Sequence, residues 1–97
     1  MNEKSLIIIP TFNELDNIRK MIPDILGRYD NVDILIVDDG SPDGTGVFVE
    51  QLTRESNRIK LIKRAGKMGL GTAYISGFKY ALQNGYDYIF EMDADFS

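Results

Sequence analysis

Two runs of four apolar residues constrain this chain more than anything else in it: Leu6-Ile7-Ile8-Ile9 and Ile34-Leu35-Ile36-Val37. Each is too short for a helix, is mostly β-branched, and does not alternate with polar residues. A strand of that kind has to be covered on both faces, which is the pattern of a parallel sheet between helical layers. The segment between the runs supplies such a helix. Leu15, Ile18, Ile22, Ile25 and Leu26 recur at helical spacing, with Asn13 as the expected N-cap and Glu14 and Asp16 in the first turn. Pro23 is expected to kink or shorten it.

The alternation continues to the end of the chain. A second helix is predicted from about Thr45, turning Val47, Phe48 and Leu52 inward, and Ile59 to Lys63 forms a third strand whose Lys60 and Lys63 suit an edge position. Leu70, Ala73, Tyr74, Phe78, Ala81 and Leu82 make a third helical stripe that stops at Asn84-Gly85. Tyr88 to Met92 is a last strand, expected to be buried on both faces although it carries Glu91. The order βαβαβαβ implies an α/β fold, a Rossmann-like parallel sheet with crossover helices. No composition shift divides the 97 residues, so they are expected to belong to a single domain, with a sheet still unfinished at residue 97.

In such a sheet the loops after the strands share one edge, and ligands bind outside the carboxyl ends. Those loops are rich in carboxylates: Glu14 after the first strand, Asp38, Asp39 and Asp43 after the second, Asp93 and Asp95 after the fourth. Asp43 lies in Pro42-Asp43-Gly44 and is explained by turn formation alone. Asp93 and Asp95, two residues apart in extended backbone, project to the same side and repel one another unless a cation lies between them. The chain has no cysteine and no histidine, which excludes thiolate and imidazole ligands and the commonest general base. A metal at this pair is therefore expected to be oxygen-ligated, Mg²⁺ or Mn²⁺. Arg64-Ala65-Gly66-Lys67-Met68-Gly69 is a basic, glycine-rich counterpart at the start of a helix, suited to phosphate but neither a P-loop nor a dinucleotide fingerprint. A net charge of −4 argues against nucleic acid as a partner. No run is long enough for a signal peptide or membrane span, so a cytoplasmic location is expected.

Four motifs carry a family resemblance: Ile8-Ile9-Pro10-Thr11-Phe12-Asn13-Glu14, Val37-Asp38-Asp39-Gly40-Ser41-Pro42-Asp43-Gly44-Thr45, Lys67-Met68-Gly69-Leu70-Gly71-Thr72-Ala73-Tyr74 and Met92-Asp93-Ala94-Asp95-Phe96-Ser97. In order and approximate spacing they resemble the family 2 (GT-A fold) glycosyltransferases, most closely the dolichol-phosphate and polyprenol-phosphate mannose synthases. The resemblance runs through the whole chain and implies the N-terminal, donor-binding part of a GT-A domain, cut just after its Asp-x-Asp motif. It implies a nucleotide pocket made by Pro10, Phe12, Glu14, Val37, Asp38, Asp39, Lys67, Asp93, Ala94 and Asp95. Asp93 and Asp95 would be the catalytic pair that holds Mg²⁺ or Mn²⁺ against the diphosphate, with Lys67 or Arg64 assisting. Phe12 stands where tyrosine is common in the family, and Ser97 where some members place a glutamine ligand. The implied donor is GDP-mannose, with a UDP-sugar as the alternative. The implied acceptor of the full-length enzyme is a polyprenyl phosphate at the cytoplasmic face of a membrane, and the isolated chain is expected to be inactive.

Two other readings use the same carboxylates. One is a phosphatase of haloacid dehalogenase type, with Asp93 as nucleophile and Asp95 as acid/base. The other is a non-catalytic, receiver-like or nucleotide-sensing module in which Asp38 and Asp39 bind Mg²⁺. The phosphatases place their motif after the first strand, whereas here three strands precede the one that ends in Asp93; receivers place their acidic pair after the first strand and a phosphorylated aspartate after the third, where Lys63 and Arg64 stand here.

Overall fold

The computed structural model describes residues 3–66 and 69–94. Its elements are β1 (Ser5–Thr11), α1 (Leu15–Arg28), β2 (Val32–Asp38), α2 (Thr45–Glu55), β3 (Ile59–Lys63), α3 (Leu70–Gln83) and β4 (Tyr88–Glu91). All strand pairings are parallel, in the order β3-β2-β1-β4. The two apolar runs lie in the central strands and are buried throughout. Alternation along them divides the core in two. Ile7, Ile9, Ile34 and Ile36 meet Ile18, Met21, Ile22 and Ile25 of α1 and Val49 of α2, while Leu6, Ile8, Leu35 and Val37 meet Ala73 and Ala81 of α3. Helices α1 and α2 therefore cover one face and α3 the other. The sheet grows from β1 outward to β3, then crosses over through α3 to place β4 on the other side of β1. That reversal puts the carboxyl ends of β1 and β4 at a topological switch point, where open α/β sheets hold their ligands.

β1 continues through Pro10 to Thr11, two residues past the apolar run. The Met92 N–H donates to the Ile8 carbonyl at 3.0 Å and the Asp39 N–H to the Thr11 carbonyl at 3.0 Å. The same alternation turns the Pro10 nitrogen toward the β4 side, beyond the Ile8–Glu91 pair where that ladder ends. The missing N–H thus costs no ladder bond.

Several expectations about the helices are corrected. Asn13 is not the cap of α1; it has φ +56° and the helix starts at Leu15. The capping oxygen comes from a distant loop: Asp43 Oδ2 accepts the Leu15 N–H at 3.1 Å. Pro23 does not end α1, which runs on to Arg28 with Pro23 on its solvent side. In α2 the buried positions are Thr45, Gly46 and Val49; Phe48 and Leu52 pack against the core as expected, but Val47 is 61% exposed. In α3 Leu70 and Leu82 point outward, the latter 75% exposed, while Ala73 and Ala81 of the expected stripe are buried against the sheet together with Gly77. These small residues at four-residue spacing bring the helix axis close to the sheet. A Cβ on Gly77 would lie 2.7 Å from the Ile8 side chain.

β4 is not buried on both faces. Its register with β1 (Ile7↔Phe90, Ile8↔Glu91) places Phe90 on the α1–α2 face and Glu91 on the α3 face, and Tyr88, Phe90 and Glu91 are all exposed. Only Ile89 packs well, against the α3-side cluster. Glu91 is thus a solvated residue at the end of an edge strand.

Candidate donor-binding site

A cavity of about 320 Å³ opens at the switch point. Pro10, Thr11, Phe12 and Glu14 form one wall from the β1 end, and Asp39 closes the base from the β2 end. Gly69, Leu70 and Ala73 contribute the start of α3, with Asp93 and Ala94 from the β4 end. Six of the residues expected to form a nucleotide pocket therefore share this cavity: Pro10, Phe12, Glu14, Asp39, Asp93 and Ala94. Lys67 and Asp95 lie outside the described residues. Thr11, Gly69, Leu70 and Ala73 were missed by an argument that followed charge, although all four stand inside the motifs already quoted.

Two expected residues lie beneath the cavity instead of in its wall. Val37 is fully buried in the α3-side cluster. Asp38 is buried and surrounded by donors: Thr11 Oγ1 at 2.7 Å, Ser41 Oγ at 2.6 Å and the Ser41 N–H at 3.0 Å. Gly46 allows the N-terminus of α2 to approach it, since a Cβ there would be 3.0 Å from Asp38 Oδ2. Asp38 ties the end of β1 to the turn that follows β2, and its carboxylate is occupied in doing so.

Asp39 is held differently. Arg64 grips it as a fork, Nε to Oδ1 at 2.6 Å and Nη2 to Oδ2 at 2.9 Å, with the two side chains 8% and 9% exposed. The same guanidinium donates to Thr72 Oγ1 at 2.8 Å and to the Gly69 carbonyl at 3.1 Å. Arg64 therefore fixes the first turn of α3 to the floor of the cavity. The expectation that it assists a leaving phosphate is not met by this geometry, because the fork is turned to Asp39.

Asp93 follows the last ladder bond of β4 and is exposed at the cavity mouth. Its Oδ1 accepts a hydrogen bond from the Tyr74 hydroxyl of α3 at 3.0 Å. Burial, then that hydrogen bond and the nearby charge of Asp93 push the Tyr74 hydroxyl up to about 12. Ala94 is buried in the α1–α2-side cluster and anchors the backbone just after Asp93. On the β1 side, Glu14 Oε2 accepts from Asn17 Nδ2 at 3.1 Å, and its N–H donates to Thr45 Oγ1 at 3.2 Å.

Among the described residues no group of three or more Asp, Glu, His or Cys side chains is placed to hold a metal. The donors at the cavity mouth are hard oxygens, which fit Mg²⁺ or Mn²⁺ bound by one or two carboxylates with phosphate oxygens and water completing the shell.

Residues 6–97 match the family model for glycosyl transferase family 2. The chain belongs to that family. It is 43% identical over 94 residues to the polyprenol monophosphomannose synthase of Mycolicibacterium smegmatis, a match covering 96% of this chain and 36% of that protein. Identity to the undecaprenyl-phosphate mannosyltransferase of Micrococcus luteus is 42% over 90 residues, covering 93% of this chain and 37% of the relative. The chain thus spans little more than a third of the length of these curated relatives. Among solved structures, the S. aureus TarS crystal structure superposes with a TM-score of 0.76 at 25% identity, covering 95% of this chain and 16% of TarS. Mannosyltransferase PcManGT from Pyrobaculum calidifontis, solved with GDP-Man and Mn²⁺, gives a TM-score of 0.72 at 22% identity over 84% of this chain and 25% of its own. These likenesses agree with the expected Rossmann-like, GT-A type of sheet in this family 2 chain.

Proposed function

We propose that this family 2 chain is the donor-binding side of a glycosyltransferase that moves mannose from GDP-mannose to a polyprenyl phosphate. The observation that carries the reading is the β1–β4 cavity, which brings Phe12, Glu14, Asp39 and Asp93 together in a chain 43% identical to a polyprenol monophosphomannose synthase. In this reading Pro10, Phe12, Glu14 and Asp39 receive the nucleoside: Phe12 offers an apolar wall, and Asp39 an acceptor oriented by Arg64. Val37 and Asp38 act from below by fixing the shape of the floor. Lys67, Asp93, Ala94 and Asp95 surround the diphosphate, Asp93 and Asp95 being the metal ligands. A Mg²⁺ or Mn²⁺ ion there supplies neutralisation of the charge that grows on the departing diphosphate. The acceptor phosphate is already anionic at neutral pH, so attack on the sugar carbon needs no histidine base. The acceptor and the membrane surface belong to the full-length protein, and the chain of 97 residues is expected to bind donor without transferring it, in keeping with the short stretch of its relatives that it spans.

Calorimetric titration with GDP and with UDP, each with and without Mn²⁺, tests this. Mn²⁺-dependent binding that favours GDP is the expected result. Equal and metal-independent binding of the two nucleotides would overturn the mannose-donor reading.

A further inference from the structure

Asp93 sits past the last backbone hydrogen bond of β4, on an edge strand with one flank open, where a carboxylate would ordinarily sample several rotamers. A group that must meet a cation and a diphosphate at fixed geometry needs support from neighbouring side chains. Tyr74 gives it. Its ring is half-buried against the α3-side cluster, one residue after Ala73, which is packed on the sheet. Three turns of α3 are held down by Ala73, Gly77 and Ala81, so the ring is seated by a rigid element, and its hydroxyl reaches Asp93 Oδ1 at 3.0 Å. A tyrosine hydroxyl carries its proton at neutral pH, so the contact runs one way, from phenol to carboxylate.

We infer that Tyr74 is a positioning residue for the acidic motif: by engaging one oxygen of Asp93 it fixes the plane of the carboxylate at the cavity mouth and so sets the affinity for a divalent cation carried on a nucleoside diphosphate. The inference rests on the proposed role of Asp93 as a metal ligand and adds a residue outside the cavity wall to the metal site. A purely structural tyrosine would satisfy its hydroxyl with the same carboxylate and leave metal affinity untouched, and this difference makes the inference testable.

The experiment is Mn²⁺ binding to the 97-residue chain in the presence of saturating GDP, read by the electron paramagnetic resonance signal of free Mn²⁺, for the wild type, Tyr74→Phe and Asp93→Asn. Tyr74→Phe keeps the ring and its packing; a thermal melt of each variant shows that it is measured below its transition. Metal-free GDP affinity, by calorimetry, reports whether the cavity itself has been disturbed. Tyr74→Phe is expected to weaken Mn²⁺ binding on the order of tenfold, in the range found when partners of metal ligands are removed, with metal-free GDP affinity far less affected. Unchanged Mn²⁺ affinity in Tyr74→Phe, with a clear loss in Asp93→Asn, would overturn the inference and leave the metal reading standing. A parallel loss of Mn²⁺ and metal-free GDP binding would also overturn it, by making Tyr74 a packing residue. If Asp93→Asn itself leaves Mn²⁺ affinity unchanged, the metal reading falls and the inference with it.

Discussion

Arg64 and Asp39 form the most buried ion pair among the described residues, since under a tenth of either side chain is exposed and both ends of the fork are engaged. Attraction across such a pair roughly offsets the cost of removing two charges from water, so its net contribution is small. Losing one partner is another matter, because a buried charge then loses its fork, a change that costs up to about 3–5 kcal/mol. Arg64→Met is therefore expected to lower the unfolding free energy by about that amount in urea denaturation, and adding Asp39→Asn to recover part of the loss. A double variant no better than the single one would mean that the contacts of Arg64 to Thr72 and Gly69, not its charge pairing, dominate. Asp43 makes a second, pH-dependent case. Burial pushes its carboxyl up, but the Thr45 hydroxyl and the N–H groups of Leu15 and Thr45 outweigh this and hold it below the usual aspartate range. A folded-state value below the unfolded one means stability that is complete above the ordinary carboxylate range, ~3.9, and is lost as pH falls through the lowered value. Asp43→Ala is expected to cost about 1 kcal/mol at neutral pH, as loss of a helix-capping oxygen does. That difference from wild type should shrink as the pH of the melts is lowered below the ordinary aspartate range.

Helix α3 shows how an element can depend on an absent side chain. Replacing Gly77 with alanine gains about 1 kcal/mol of helix propensity, but the new Cβ would lie 2.7 Å from two carbons of Ile8, a fully buried residue in the central strand. Those carbons include the branch methyl, which cannot swing away, and overpacking of this kind costs about 1–3 kcal/mol. The clash wins, and Gly77→Ala is expected to lower the melting temperature. Gly71→Ala in the same helix meets nothing within 4 Å and is expected to raise it or leave it level. The same helix marks the limit of what periodicity shows. β1 and β2 were legible because a β-branched run buried on both faces has one structural solution. The buried face of α3 was legible in part: Ala73 and Ala81 are buried and Tyr74 and Phe78 pack against their cluster as the stripe implied, but Leu70 and Leu82 at its margins face outward, and Gly77, which has no side chain, gives no apolar signal although it makes the closest approach to the sheet. The cap of α1 was misplaced for a related reason: Asn13 is the local candidate, and Asp43 reaches Leu15 only once the fold exists. At the site, charge and motif order led to Glu14, Asp39 and Asp93. They did not show that Asp38 would be consumed by Thr11 and Ser41, or that Arg64 would close on Asp39 across 25 residues of chain.

At the scale of the whole molecule, the proposed function makes ligand and metal depend on each other. The cavity lies between β1 and β4, with Pro10, Phe12, Glu14 and Asp39 on the β1 and β2 ends and Asp93 on the β4 end, so on the proposed reading a nucleoside diphosphate would bridge the ends of neighbouring strands. On the proposed reading Asp93 and Asp95 give a cation two carboxylates, and the diphosphate and water would supply the rest of its shell. Coupling of this kind is reciprocal: whatever factor GDP adds to Mn²⁺ affinity, Mn²⁺ must add to GDP affinity. Thermal melts read both terms. Mn²⁺ alone is expected to move the transition hardly at all and GDP alone modestly. The two together should move it by more than the sum of their separate shifts, since at about 100 times the dissociation constant a ligand stabilises by about 2.7 kcal/mol, worth about 10 °C or more in a domain of this size. A full shift from Mn²⁺ without nucleotide would reveal a protein cage that the described carboxylates do not form. Shifts that merely add would show that nucleotide and metal occupy the chain independently, and the cavity at the switch point would then not be the place where they meet.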